Sequence, residues 1–238
     1  MDDHPVAVRD GRVLVVGNSV SISPADGVPA YPELLQGELG VLWEVRPVLR
    51  SGATIDEFET EILQTITAYQ PDVLVLQVGI NECAPRPLAR RGRDRLSHLR
   101  WTALRARIIQ FLHEYRAQII RFRGVRQLTP LPVFESSVRR VLARALQCGG
   151  RVLILPITRL TSTAEMRTPF ANQEIARYNE ALRACAGTQV RFVAEGELFP
   201  GQPPDDYSAS PATVHLSGAA HAAIARFVHD WIVRRGEP

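Results

Sequence analysis

The chain has 238 residues, 45% of them hydrophobic and 22% charged, with a formal net charge of +3 at pH 7. Those proportions suit one large domain, 1–238, with a full core, and they exclude a disordered or low-complexity chain. No apolar run approaches the ~18 residues that a membrane span needs.

Met1-Asp2-Asp3-His4-Pro5 lacks the basic-then-apolar pattern of a secretory signal, so a cytoplasmic location is expected. Arg12 to Gly17 reads as a buried β-strand: a short, β-branched apolar run that stops at a glycine and delivers Asn18-Ser19-Val20. A polar loop follows, then a short helix from Tyr31 to Leu39 and a second apolar run from Val41 to Leu49. Arg50-Ser51-Gly52-Ala53 turns the chain into a helix. Thr54 and Glu57 have capping-box spacing there, and Phe58, Ile62, Ile66 and Tyr69 share one face. Asp72 to Val78 is a third strand, almost continuously apolar as a doubly covered parallel strand should be, and it ends in Gly79-Ile80-Asn81-Glu82.

A long segment, 83–132, then interrupts the alternation. Trp101, Leu104, Ile108, Phe111, Leu112, Tyr115 and Ile119 recur in it at helical spacing, which predicts a helical insertion placed as a cap over the site or packed on its rim. It is also strongly basic: twelve arginines lie between Arg86 and Arg126, against Asp94 and Glu114. Such a face is either simply solvated or attracts an anionic partner. A helix over Val133 to Gln147, a strand over Val152 to Ile157, a helix over Asn172 to Ala186, a strand over Gln189 to Ala194 and a last helix beyond His215 complete the pattern. Five strands alternating with helices predict a parallel sheet in a three-layer α/β/α domain.

Three strand ends and the start of the last helix each carry a marked residue: Ser19, Gly52, Asn81 and His215. Acyl transfer needs these types. A serine hydroxyl is a weak nucleophile until a nearby base takes its proton, and histidine titrates in the useful range. The oxyanion needs fixed donors, which a glycine N–H, an asparagine amide and the Ser19 N–H supply. Glu82 is expected to brace the loop, His221 to lie on a helix surface, and His98, His113 and His229 to be structural. Cys83, Cys148 and Cys185 lack metal-ligand spacing, and no paired His and carboxylate spacing marks a metal site, so neither metal nor cofactor is expected.

Gly17-Asn18-Ser19, Gly52 in Ser-Gly-Ala-Thr, Gly79-Ile80-Asn81-Glu82 and Val214-His215-Leu216-Ser217 together resemble, in order, the four sequence blocks of the SGNH (GDSL-type) hydrolase superfamily. The resemblance implies a flavodoxin-like fold, a nucleophile at Ser19, oxyanion donors from Gly52 and Asn81 and a general base at His215. Two positions depart from that pattern. Asn18 stands where the first block has aspartate, and Ala212 stands where the last block has an aspartate three residues before the histidine. Three outcomes follow: a Ser19–His215 dyad with the imidazole held by a backbone carbonyl, Asp205 or Asp206 swinging into the missing place, or a site that only binds. The leading expectation is a serine esterase or acyl hydrolase acting on a small-molecule ester or thioester. The alternatives are an acyltransferase with a coenzyme A or carrier-protein donor, and a non-catalytic binding protein. The basic insertion suits an anionic substrate or an acidic carrier protein; it carries no recognisable nucleic-acid module.

Overall fold

The computed structural model describes residues 11–22 and 27–234. The expectations for Met1 to Pro5 and for part of the loop after Ser19 lie outside the described residues. In chain order the elements are β1 (Gly11–Gly17), α1 (Tyr31–Leu39), β2 (Trp43–Leu49), α2 (Ile55–Tyr69), β3 (Val73–Gln77), α3 (Ile80–Cys83), α4 (Arg90–Ser97), α5 (Thr102–Glu114), α6 (Arg116–Arg123) and α7 (Leu131–Gln147). They continue with β4 (Arg151–Ile154), α8 (Ser162–Arg167), α9 (Ala171–Arg183), β5 (Val190–Phe192), α10 (Glu195–Leu198), α11 (Pro204–Tyr207) and α12 (Gly218–Arg234). The five strands form one sheet in the order β2-β1-β3-β4-β5, every pair parallel.

Strand periodicity divides the core in two. Leu14 and Val16 of β1 face one side, where α2, α7 and α9 bury Phe58, Ile62, Phe134, Val138 and Tyr178. Val13 and Val15 face the other, where α1 and α12 bury Tyr31, Leu35, Ile224, Val228 and Trp231. Alternate side chains of one strand thus feed two helical layers, the three-layer arrangement expected of a parallel sheet. Each fully buried aliphatic or aromatic side chain contributes about 1.5–3 kcal/mol.

Helix ends obey local chemistry. The Glu57 carboxylate accepts from the Thr54 N–H at 2.9 Å, the predicted back-bond at the start of α2, while the Thr54 hydroxyl accepts from Arg90 at 2.6 Å. The second strand starts at Trp43 rather than Val41, because Gly40–Leu42 forms a 3₁₀ turn that leaves Val41 exposed.

The insertion differs most from expectation. It is helical, but the chain breaks at Tyr115 into α5 and α6, and no residue of α4 or α5 is buried. Trp101 is 73% exposed, and Leu104, Phe111 and Tyr115 are also exposed, so the apolar stripe is not a core face. Of the three helices α4 to α6 only Ile120 is buried. Ion pairs rather than apolar packing tie the insertion down: Arg90 reaches Asp56 at 2.5 Å and Arg93 reaches Glu57 at 2.7 Å, both on the first turn of α2. Among the described residues no helix is long and apolar enough to cross a membrane.

Candidate active site

The carboxyl ends of β1, β2 and β3 lie side by side, with Gly17 in register with Leu49 on one flank and Gln77 on the other. Strand order reverses at β1, and open α/β sheets bind ligands beyond the strand ends at such a reversal. Ser19, Gly52 and Asn81 each follow one of these three ends by a few residues, so positions far apart in sequence share one edge of the sheet.

Ser19 opens a single 3₁₀ turn, Ser19–Ser21, whose N-cap Asn18 accepts from the Val20 N–H through Oδ1 at 3.2 Å. A side-chain oxygen there is all the turn requires, so asparagine replaces aspartate without losing the cap. The turn also separates its two serines. Ser21 is buried and donates to Gln77 Oε1 at 2.6 Å, whereas Ser19 stays half-exposed at the sheet edge.

Gly52 has φ +73°, and nothing lies within 4 Å of where a Cβ would sit, so backbone conformation rather than crowding selects glycine. Asn81 sits on α3, the short helix that follows Gly79. Its Nδ2 donates to the Ala53 carbonyl at 2.9 Å and its Oδ1 accepts from Arg86 Nη2 at 3.4 Å. One N–H of the amide is thereby committed and orients the group; Asn81 and Gly52 line the same cavity. The next residue, Glu82, is fully buried and accepts from the Ile55 N–H at 2.6 Å, bracing the α3 loop against the start of α2 as expected. Burial pushes its carboxyl up to about 7, against the opposing pull of backbone donors that include Ile55.

His215 is held by its own main chain. Its carbonyl accepts from the Ala209 N–H at 2.9 Å, its N–H donates to Thr213 Oγ1 at 3.1 Å, and Leu216 forms a bridge with Ser208. Its ring Nδ1 lies 3.3 Å from the carbonyl oxygen of Ser19. A carbonyl only accepts, so this contact places the proton on Nδ1 and leaves Nε2 as the basic nitrogen. Asp205 and Asp206, on α11, are exposed, and among the described residues neither bonds to His215; Ala212 is exposed as well. Of the arrangements considered for the imidazole, a main-chain carbonyl is the one observed.

A cavity of about 350 Å³ opens beside Gly52 and Asn81, lined by Arg86, Pro87, Leu88, Arg93, Leu96, Leu112, His113, Arg116 and Leu128. Inner side chains of the insertion therefore wall the cavity that Gly52 and Asn81 also line. Arg86 and Arg116 are the residues that sequence alone leaves inside an undifferentiated arginine cluster. For Arg86 a signal exists, since it stands between two prolines just after the Asn81 block. For Arg116 there is no local signal. His113 lies exposed at the cavity wall rather than in a purely structural place. His221 is buried, not superficial: its Nδ1 accepts from the Tyr31 N–H at 3.1 Å and its ring stacks on that of Tyr31. A close α1–α12 packing takes the ring inward. Among the described residues no three His, Cys, Asp or Glu side chains gather as a metal site.

Comparison with known proteins bears on the family and the fold. The family model described as GDSL-like Lipase/Acylhydrolase family matches residues 15–223. Among solved structures, a lipase/acylhydrolase from Enterococcus faecalis aligns with a TM-score of 0.62 at 11% identity, covering 94% of this chain and 96% of that one. TesA aligns at 0.56 and 17% identity, covering 93% and 96%. Axe2, an acetylxylan esterase from Geobacillus stearothermophilus, aligns at 0.57 and 16% identity, covering 92% of each chain. A comparison with curated proteins gives no match. A family match over most of the chain identifies the protein: it belongs to the GDSL-like lipase/acylhydrolase family and is an ester-hydrolysing enzyme.

Proposed function

We propose that the protein cleaves a small-molecule ester through an acyl-enzyme on Ser19. The observation that carries this reading is the contact of His215 Nδ1 with the Ser19 carbonyl at 3.3 Å, across 196 positions of sequence. The ring of the histidine in the last block lies against the main chain of the half-exposed serine in the first, which supports Nε2 as the base. In the reaction Ser19 Oγ attacks the ester carbonyl carbon and its proton passes to His215 Nε2. The N–H groups of Ser19 and Gly52 and the second N–H of Asn81 receive the oxyanion. Collapse breaks the bond to the alcohol oxygen, which leaves with the proton from Nε2. Water then repeats the sequence on the acyl-enzyme, giving its proton to Nε2, and the acid departs as Ser19 regains its hydrogen.

In Axe2 replacement of an aspartate gives a catalytic mutant, as does replacement of the serine or the histidine, and that aspartate stands three residues before the histidine. Ala212 occupies the corresponding spacing here. A neutral carbonyl holds the tautomer as a carboxylate does but stabilises the imidazolium less, so a functional but slower dyad is the reading this supports. The substrate lies in the cavity between Gly52, Asn81 and the arginine-rich insertion, which favours an ester bearing an anionic group.

A fluorophosphonate tests the nucleophile directly. The expected result is stoichiometric labelling that disappears in Ser19→Ala, together with loss of 4-nitrophenyl acetate hydrolysis by a thousandfold or more, since removing the serine of a triad can cost about a millionfold in kcat. Labelling that persists in Ser19→Ala would rule the mechanism out.

A further inference from the structure

Several arginines of this protein, most of them well exposed, are paired with carboxylates. Arg90 reaches Asp56, Arg93 reaches Glu57, Arg159 reaches Glu195 and Arg177 reaches Glu174, the contacts running from 2.5 to 2.8 Å. Other arginines go without a carboxylate at the solvated surface, but Arg86 and Arg116 do so where it is most costly. Both are more than half-buried, and among the described residues neither has a carboxylate within ion-pair distance. Arg116 is held by neutral acceptors, the Pro85 carbonyl at 2.9 Å and Thr168 Oγ1 at 3.0 Å. Arg86 touches only the Asn81 amide oxygen, at 3.4 Å, through its side chain, and its Nε is buried with no partner among the described residues. The Pro85 carbonyl that holds one guanidinium belongs to the residue next to the other, so the two cations are neighbours. Burial pulls both below the usual arginine range, Arg116 to about 10, and for Arg116 the nearness of Arg86 adds to the effect.

Two adjacent, desolvated guanidinium groups without a counter-ion form a binding site lacking its anion, since a buried charge is stable only when paired. Both line the cavity that Gly52 and Asn81 also line, and Leu112 and Leu128 complete its wall. We propose that Arg86 and Arg116 form an anion subsite, which recognises a carboxylate or phosphate carried by the ester substrate a few apolar atoms from the scissile carbonyl. The shared chemistry is a planar or tetrahedral oxyanion group that a guanidinium grips with two parallel hydrogen bonds. The leucines take the linking carbons. This rests on the reading of Gly52 and Asn81 as oxyanion donors, because that is what puts the subsite within reach of the reacting bond.

The test compares matched esters with the intact enzyme. On the acyl side, 4-nitrophenyl hydrogen glutarate is set against 4-nitrophenyl valerate. On the alcohol side, glycerol-phosphate acetate is set against glycerol acetate. The expected result is a kcat/KM at least tenfold higher for the charged member of one pair, a preference that shrinks in 0.5 M NaCl. The ratio should fall to near one in Arg116→Gln or in Arg86→Gln. The pair that shows the preference tells carboxylate from phosphate and acyl side from alcohol side. Equal rates within both pairs, or a preference untouched by both substitutions, would overturn the subsite. Binding of free glutarate and of inorganic phosphate to Ser19→Ala, followed by calorimetry, is read independently of turnover. Loss of hydrolysis in Ser19→Ala with retained anion binding bears on the nucleophile alone. Absent anion binding beside normal Ser19-dependent hydrolysis refutes the subsite alone.

Discussion

At the scale of single residues the site is economical. One amide, that of Asn81, spends one N–H on Ala53 and its oxygen on Arg86, and so presents its remaining N–H in a fixed direction. Removing a donor that is pre-aimed at developing charge typically costs about 100- to 1000-fold in rate. Asn81→Ala is therefore expected to lower kcat by that range with little change in KM; a raised KM at unchanged kcat would mean that the amide binds the ground state instead. Ala212→Asp asks the opposite question. If the imidazolium is short of a counter-charge, a carboxylate three residues before His215 should raise kcat by about tenfold or more, a fraction of the roughly 10,000-fold that such a carboxylate supplies in a complete triad. An unchanged kcat would show that orientation through the Ser19 carbonyl already suffices. Glu82 links the site to stability. Its carboxyl sits near 7 in the fold against 4.5 in the unfolded chain, so the folded form holds the proton more tightly. Its contribution is complete below about pH 4.5 and is lost as pH rises through 7. Glu82→Gln keeps an acceptor for the Ile55 N–H and should flatten the decline in urea-unfolding stability between pH 5 and pH 8. Parallel pH profiles for the two proteins would contradict the assignment.

At the scale of elements, the insertion is fastened to α2 by charge. Burial raises the Asp56 carboxyl, but hydrogen bonds from Arg90, Thr129 and Thr54 outweigh burial and hold it at about 2. Because the folded value lies below the unfolded one, this tether is present above about pH 4 and fades as pH falls through 2, outside the window in which Glu82 acts. A half-exposed pair of this kind is worth about 1 kcal/mol. Asp56→Asn should accordingly speed tryptic cleavage within α4 to α6 about fivefold where opening is rapid, measured as the disappearance of intact chain; an unaltered cleavage rate would place the tether elsewhere. Gly79 governs the neighbouring element. With φ +126° and a Cβ position 2.2 Å from the Ile157 side chain, it admits no other residue without displacing either α3 or Ile157. The carriage of Asn81 into the site depends on that turn.

At the scale of the molecule, the insertion leaves and rejoins the domain at one place: the Arg86 N–H donates to the Arg126 carbonyl at 2.9 Å. Since Ile120 alone is buried among α4 to α6, replacing 90–123 by a short glycine-serine turn should leave a cooperatively melting α/β/α domain. The expected cost is about 2–5 kcal/mol, that of one large aliphatic side chain. Loss of near-ultraviolet circular dichroism in the shortened chain would show that the insertion belongs to the core after all.

Periodicity and turn chemistry made the alternation of strands and helices legible, because apolar residues at intervals of two or of three to four can satisfy a core in only one local conformation. Strand tips were read too long at Val41, Ile157 and Ala194, since apolar composition continues past the last ladder hydrogen bond. The four candidate positions could be singled out because turns that end strands have demanding local chemistry, with a capped serine turn and glycines at positive φ. The exposed stripe of α5 and the inward His221 were not, because a helical period says that a face is apolar but not what covers it. Nor could sequence separate Arg86 and Arg116 from their ten neighbours. All twelve are chemically alike as residues, and only the folded chain decides which meet a carboxylate and which are enclosed without one. Sequence by itself determined the strand order's raw material and the residues able to carry acyl chemistry. Tertiary structure decided that a backbone carbonyl stands at His215 Nδ1, and that two unpaired cations face the cavity, because both depend on contacts between segments that no local rule constrains.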